Sequence, residues 1–385
     1  MIPNVNIAAH NNDNTCKEKA VIMLEDGTSF EGFYEGKPIE SGGELVFNTA
    51  MNGYQELITD PSYNGQIVIM TYPMIGNYGI NNEDFESKKA WLSAYVAKNI
   101  VSKYSHYTAV KSLTDFLNEN NIPVITGVDT RALAIYLREK GSTNGYIALK
   151  SKGIDYIKEK VKNVPIMEGL NLASNVSAGQ LYKKYVKKPE FNVTIIDYGI
   201  KYSTIECLNA LNANLTIVPH DSSKEYVFAT NPDGILLSNG PGDPKALFNE
   251  IKIIKELIGK KPIFGICLGH QLLALSLGFN TYKLKFGHHG INHPVKNVKT
   301  SKIEITSQNH GFCVALEDSH SNKNLKNTEI THISLNDGTV EGIKNKSLSL
   351  FSVQYHPESS PGPNDSKYLF EDFKKLCLKN KIENN

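Results

Sequence analysis

The hydrophobic pattern changes period halfway along the chain. Residues 21–24 form a short apolar run, Glu25-Asp26-Gly27 a turn, and residues 28–33 the returning segment. Asp-Gly accepts the backbone of a tight turn, so this reads as a hairpin. Further strand-like runs at 44–48 and 66–71 are punctuated by Asn52-Gly53, Asp60-Pro61-Ser62 and Tyr63-Asn64-Gly65. Helical spacing follows at 114–118, at 129–140, where Leu133, Tyr136 and Leu137 share a face and Gly141 is the stop, and at 154–161. The pattern predicts a smaller α+β unit over residues 21–182.

Beyond residue 190, apolar runs alternate with segments of helix length. Strands are expected at 192–197, 214–218, 234–238 and 262–265, and helices at 201–213, 246–258 and 268–277. This alternation predicts an α/β unit over 192–380: a mostly parallel open sheet with helices on both faces and right-handed crossovers. After Gly278 the pattern turns β-rich, 350–355 reads as a strand, and 367–378 reads as a closing helix. The Lys-rich stretch 183–191 reads as a solvated linker rather than a nucleic-acid patch. Residues 1–20 are polar and Asn-rich, lack the apolar core of a secretory signal and contain no arginine, so a disordered tail is expected.

Composition excludes several classes. The 385 residues are ample for two domains, and 41 basic against 40 acidic residues leave a net charge of +1. A global electrostatic grip on nucleic acid or an anionic membrane is not expected. Only two basic residues are arginines, Arg131 and Arg138, and no P-loop occurs, which argues against a multi-phosphate clamp. The five cysteines, at 16, 207, 267, 313 and 377, are odd in number, widely spaced and free of any C-x-x-C. That fits a reducing compartment, cytoplasm or plastid stroma, better than a disulfide framework.

The candidate chemistry sits at strand ends of the second half. In Gly265-Ile266-Cys267-Leu268-Gly269-His270-Gln271 an apolar run ends in Gly-x-Cys-x-Gly and a helix follows. This is the pattern of a nucleophile elbow, with small residues two positions to either side of the nucleophile. A helix N-terminus stabilises negative charge there, which suits a thiolate. Such a nucleophile needs a base or imidazolium partner. His356 ends the 350–355 run, and Glu358 lies two residues on, on the same side of an extended segment, placed to hold the imidazole in one tautomer. His270 projects from the helix body and reads as a packing residue. Ser238-Asn239-Gly240-Pro241-Gly242-Asp243-Pro244 follows another apolar run, and its glycines suit inward-facing N–H groups near an oxyanion.

Taken together, Gly-Ile-Cys-Leu-Gly-His-Gln, Asn-Gly-Pro-Gly-Asp-Pro and Tyr-His-Pro-Glu resemble a class I glutamine amidotransferase domain over about residues 190–380. The motifs around Thr59–Tyr63, 127–133, 285–294 and 308–312 extend the resemblance to the small, glutamine-hydrolysing subunit of carbamoyl phosphate synthase, over nearly all of 21–378. The resemblance implies Cys267 as nucleophile, His356 as base and acid, and Glu358 as its orienting carboxylate. It implies L-glutamine contacts at Ser62, Gly240, Gly242, Leu268, Gln271, Asn309, Gly311 and Phe312. It also implies a large-subunit partner that receives ammonia through a tunnel and handles ATP and Mg²⁺, so that no cofactor is expected in this chain. Residues 141–144 depart from the pattern, which has a more apolar residue beside the Gly, and the N-terminal tail is an extension.

Two other readings remain open: a class I amidotransferase serving a different synthetase, and a non-catalytic regulatory homologue. The intact Cys267, His356 and Glu358 oppose the second, and the whole first half opposes the first. A metal site at His288, His289, His293 and His310 is not expected, because adjacent histidines on a strand face opposite ways.

Overall fold

The computed structural model describes residues 17–315 and 327–383. Most of the expected tail, residues 1–16 including Cys16, lies outside the described residues. Its last two positions, Lys19 and Ala20, open a strand instead.

The first half is a closed barrel with helices packed on it, a closure that runs of alternating residues do not by themselves predict. Its strands are β1 (Lys19–Leu24), β2 (Ser29–Tyr34), β3 (Ser41–Asn48), β4 (Gln66–Met70), β5 (Ala94–Val96), β6 (Val124–Thr126) and β7 (Thr143–Leu149), in the order β1-β2-β6-β5-β4-β3-β7 with β7 closing on β1. Its helices are α1 (Tyr54–Thr59), α2 (Leu113–Glu119), α3 (Thr130–Lys140) and α4 (Ile154–Lys162). Alternation along β4 explains the two-sided packing. Ile67 and Ile69 join Leu133 and Leu137 of α3, while Val68 and Met70 join Leu57 of α1 and Leu117 of α2.

Among the described residues the second half is a ten-stranded sheet. Its strands are β8 (Tyr182–Lys184), β9 (Phe191–Asp197), β10 (Ala213–Pro219), β11 (Gly234–Leu237), β12 (Ile263–Ile266), β13 (Thr281–Asn297), β14 (Ile303–Val314), β15 (Glu329–Ser334), β16 (Val340–Asn345) and β17 (Leu350–Val353). The order is β8-β10-β9-β11-β12-β17-β16-β14-β13-β15. Only the central β10-β9-β11-β12-β17 is parallel. The mostly parallel sheet expected from the sequence is therefore corrected: the flank from β16 to β15 is antiparallel. The reason is local. Parallel neighbours need a long crossover, whereas β13 and β14, β15 and β16, and β16 and β17 are joined by the short connections 298–302, 335–339 and 346–349. The expected linker is also shorter than 183–191, because Lys183 and Lys184 lie in β8, an edge strand whose lysines discourage further pairing.

The parallel strands are apolar on both faces because both are covered. On one side Val193 and Ile195 pack with Leu208 of α5 (Tyr202–Ala210) and with Phe373 of the last helix (Tyr368–Glu383). On the other, Ile196 and Leu237 pack with Ile254 of α6 (Phe248–Leu257) and Leu272 of α7 (Leu268–Leu277).

The halves meet along β13 and β14. Ser142 N donates to Lys285 O at 2.7 Å, Lys283 Nζ pairs with Glu44 at 2.7 Å, and the Phe47 and Phe286 rings meet at a tilt with centroids 5.8 Å apart. This seam positions the site.

Candidate active site

Strand β12 delivers Cys267 directly to the start of α7. The residue has φ 52° and ψ −105°, a left-handed φ that a Cys adopts only when its surroundings impose it. The flanking glycines show what imposes it. A Cβ on Gly265 would sit 2.7 Å from Gly269 O, and one on Gly269 would sit 2.2 Å from Leu237 O. The turn is tight because the α7 backbone rests against β11 and β12, and the thiol is lifted to the C-terminal edge of the parallel strands. Its Sγ lies 3.5 Å from Asn309 O and 3.8 Å from Gln354 Nε2.

Strand β17 delivers the partner. His356 N donates to Ser307 O at 3.0 Å, which fixes the segment beyond β17 against β14. His356 Nδ1 lies 2.7 Å from Glu358 Oε1. Its Nε2 is buried with no hydrogen-bond partner among the described residues and interacts electrostatically with Cys267. Lys201, at the start of α5, reaches the same carboxylate: Nζ is 2.9 Å from Glu358 Oε1 and 2.6 Å from Ser360 O. Cys267, His356, Glu358 and Lys201 are each at most 2% exposed.

The electrostatics follow from this burial. Desolvation works against charge on His356, but the Glu358 carboxylate and the Cys267 sulfur outweigh it and hold the imidazole up at about 10. Desolvation likewise disfavours an ionised Glu358, and Lys201 and His356 reverse it, holding the carboxyl well below its usual range. Burial pushes His270 down to about 3; its Nδ1 is 2.8 Å from Ser352 Oγ, the packing role expected for it.

The other expected residues converge on one cleft beside Cys267. Ser62, Gly240, Gly242, Gln271, Asn309, Gly311 and Phe312 all line it. Leu268 does not: its side chain is in the core, and only its backbone, the first turn of α7, is near the sulfur. Gln271 Nε2 donates to Phe312 O at 2.7 Å, tying α7 to β14. The first half contributes directly. Asn239 Nδ2 donates to Ser62 Oγ at 3.0 Å, and Asn309 Nδ2 donates to Asp60 Oδ2 at 3.1 Å.

Three further residues at the site, Lys201, Asp60 and Gln354, were not singled out from the sequence. Lys201 closes Tyr198-Gly199-Ile200-Lys201 at the end of β9, and a strand end in a parallel sheet was the available signal. A single Lys at a helix start nonetheless reads as solvated. The histidines divide as strand geometry requires. His289 lines the cleft, its Nδ1 2.9 Å from Asn309 Oδ1, while His288 faces away, its Nε2 2.8 Å from Asp337 Oδ2. Among the described residues the set that does converge is His288, His310 and Glu341, with one ligand atom each within 4.8 Å of the others. It differs from the four histidines weighed above. Gln308 sits among them, 3.0 Å from His310 Nε2 and donating to Glu341 Oε2 at 2.9 Å.

A thiol on a strained elbow, an imidazole and carboxylate just beyond the next parallel strand, and an adjoining cleft define a class of protein, and residues 194–376 match the family model described as glutamine amidotransferase class-I. Residues 22–147 match a second, carbamoyl-phosphate synthase small chain, CPSase domain. Proteins named carbamoyl phosphate synthase small chain are similar along almost their whole length. That of Aquifex aeolicus (strain VF5) is 47% identical over 375 residues, covering 94% of this chain and 99% of that one. Those of Chlorobaculum tepidum and Syntrophotalea carbinolica are 48% and 45% identical over 366 and 377 residues, each match covering 94% of this chain and 99% of the other. The chain belongs to the carbamoyl phosphate synthase small chain family. Among the described residues no helix is long and apolar enough to cross a membrane.

Proposed function

We propose that this chain is the glutamine-hydrolysing subunit of a carbamoyl phosphate synthase and works by thiol catalysis at Cys267. The observation that carries this is the buried run Cys267, His356, Glu358 beside a cleft that both halves build. In the proposed mechanism the Cys267 thiolate attacks the side-chain amide carbon of L-glutamine. Backbone N–H groups of Leu268 and of the Gly240–Gly242 loop take the oxyanion. His356, charged, gives its proton to the departing nitrogen, so ammonia leaves and a glutamyl thioester remains. Water, deprotonated by the now neutral His356, attacks the thioester; glutamate leaves and the proton returns the pair to its starting state. Glu358 keeps Nδ1 engaged, so only Nε2 exchanges protons. Ser62, Gln271, Asn309, Gly311 and Phe312 hold the amino-acid end of glutamine.

A second, small cavity, lined by His356 together with Asn48, Asp60, Lys201, Ser307 and Pro361, supports an exit for ammonia along the first half. The receiving partner is a large subunit that makes carbamoyl phosphate from bicarbonate and ATP with Mg²⁺, for pyrimidine or arginine synthesis; the chemistry assigned to this chain needs no cofactor of its own. We assign residues 21–182 to partner contact, 192–380 to glutamine chemistry, and the protein to the cytoplasm or plastid stroma. The test is to quench turnover with acid and measure the intact mass: a glutamyl adduct is expected on the native chain and none on Cys267→Ser. No adduct on the native chain, with glutamine still consumed, would sink the thioester route.

A further inference from the structure

The first half reaches the thiol site at a second place, away from the glutamine cleft. Lys201 is the N-cap of helix α5, and Lys cannot accept a hydrogen bond from the first turn, so the helix has no side-chain cap of its own. The cap comes from Glu86, in the loop that precedes β5. Glu86 O accepts from Tyr202 N at 2.9 Å, and Glu86 Oε2 accepts from Ser203 N at 3.2 Å and Ser203 Oγ at 2.6 Å.

Glu86 is 3% exposed and is itself held. Its N–H donates to Thr59 Oγ1 at 2.9 Å, and the neighbouring Ser87 Oγ donates to Thr59 O at 2.5 Å and accepts from Trp91 Nε1 at 2.7 Å. Thr59 ends α1, and the next residues are Asp60 and Ser62 of the glutamine site. One fixed piece of the first half therefore sets both the cleft and the start of α5. Charge runs along the same line. Glu358, Glu86 and Asp60 all favour the Lys201 cation against burial, and Glu56 also feels it; burial pushes Glu86 itself up to about 7, with Lys201 and Ser203 opposing and Glu358 adding to the rise, so its charge is complete on the alkaline side.

We propose that Glu86 is a positioning residue for the thiol site: from the neighbouring half it caps α5 in place of the missing side-chain cap, and its charge balances the Lys201 ammonium that aims Glu358 at His356. The proposal rests on the glutaminase reading above. It makes the rate at Cys267 depend on how the first half is seated.

The test uses this chain in complex with the large subunit from its own source. Glutaminase kcat, KM and pH profile are measured for Glu86→Gln, Glu86→Ala and Ser203→Ala, with ammonia-dependent synthesis and melting followed on the same preparations. Gln keeps an oxygen for Ser203 but carries no charge. We expect Glu86→Gln to lower kcat about tenfold while KM changes less than about threefold. The alkaline limb of kcat/KM should move to lower pH, because one fewer negative charge supports the His356 cation among its neighbours Cys267, Glu358, Lys201, Asp60 and Glu56. Ser203→Ala, which removes one capping bond and no charge, should leave that limb in place. Native kcat and an unmoved limb in Glu86→Gln, with a melting loss confined to Glu86→Ala, would reduce Glu86 to a structural cap and overturn the proposal. If Glu86→Ala does not fold, Glu86→Gln alone decides. A native complex that hydrolyses no glutamine would overturn the glutaminase reading itself, a result separate from any difference between variants.

Discussion

Lys201 Nζ lies 2.9 Å from Glu358 Oε1, the same oxygen that His356 Nδ1 meets at 2.7 Å. One carboxylate oxygen is thus shared between a buried ammonium and the imidazole assigned to catalysis. A buried carboxylate and imidazolium would leave a pair; the lysine makes a chain of three charges whose geometry each member helps fix.

Lys201→Met tests that sharing. Breaking one partner out of a buried charge cluster costs about 3–5 kcal/mol, since the remaining carboxylate keeps its desolvation penalty. We expect a clear drop in melting temperature and at least about a tenfold loss of glutaminase kcat. A variant with native melting and native kcat would show that His356 alone suffices to hold Glu358.

The pH dependence follows from the direction of the His356 shift. Its pKa is raised in the folded protein from 6.5 to about 10. The proton it holds therefore stabilises the fold fully below about pH 6.5, and that contribution is lost as pH rises toward 10. The glutaminase rate should hold through neutral pH and fall on the alkaline side as the imidazolium loses its proton. In Glu358→Gln the supporting carboxylate is gone and burial dominates, so the alkaline limb should move down toward or below the ordinary imidazole value. An alkaline limb that stays in place would contradict the pairing.

Two glycines near the sulfur should respond in opposite ways to the same added methyl. At Gly269 the Cβ would lie 2.2 Å from Leu237 O, backbone against backbone. Gly269→Ala should cost about 1–3 kcal/mol of stability through overpacking and should disable the elbow. At Gly311 a Cβ would meet nothing within 4 Å, and the residue lines the cleft. Gly311→Ala should melt within about 0.5 kcal/mol of the native protein yet raise KM for glutamine. Denaturant unfolding together with steady-state kinetics separates the two cases; a Gly311→Ala protein with native KM would place glutamine elsewhere.

The three motifs to which chemistry is assigned were legible because each is a local event. A strand runs into Gly-x-Cys-x-Gly and a helix, a strand ends in His-Pro-Glu, and a Gly/Pro loop follows an apolar run, so chain-neighbour sterics alone place them at strand ends. Apart from Gly240 and Gly242, the cleft residues were legible only through family resemblance, since nothing local ties Ser62 to Asn239, 177 positions away. Lys201 and Glu86 were illegible for the same reason. A lysine and a glutamate look solvated until long-range packing buries them against each other. The barrel closure of β7 on β1 and the antiparallel flank of the large sheet also depend on pairings between distant segments, whereas the parallel core is announced by its two-sided apolar runs.

The central claim is a division of labour: glutamine chemistry at Cys267 in this chain, synthesis in a partner. It is tested most directly by assembling Cys267→Ser with the large subunit from the same source and measuring carbamoyl phosphate formation with glutamine and, separately, with ammonia. The expected result is loss of the glutamine-dependent reaction with the ammonia-dependent reaction preserved. Equal loss of both, or glutamine-dependent synthesis that survives the substitution, would contradict it.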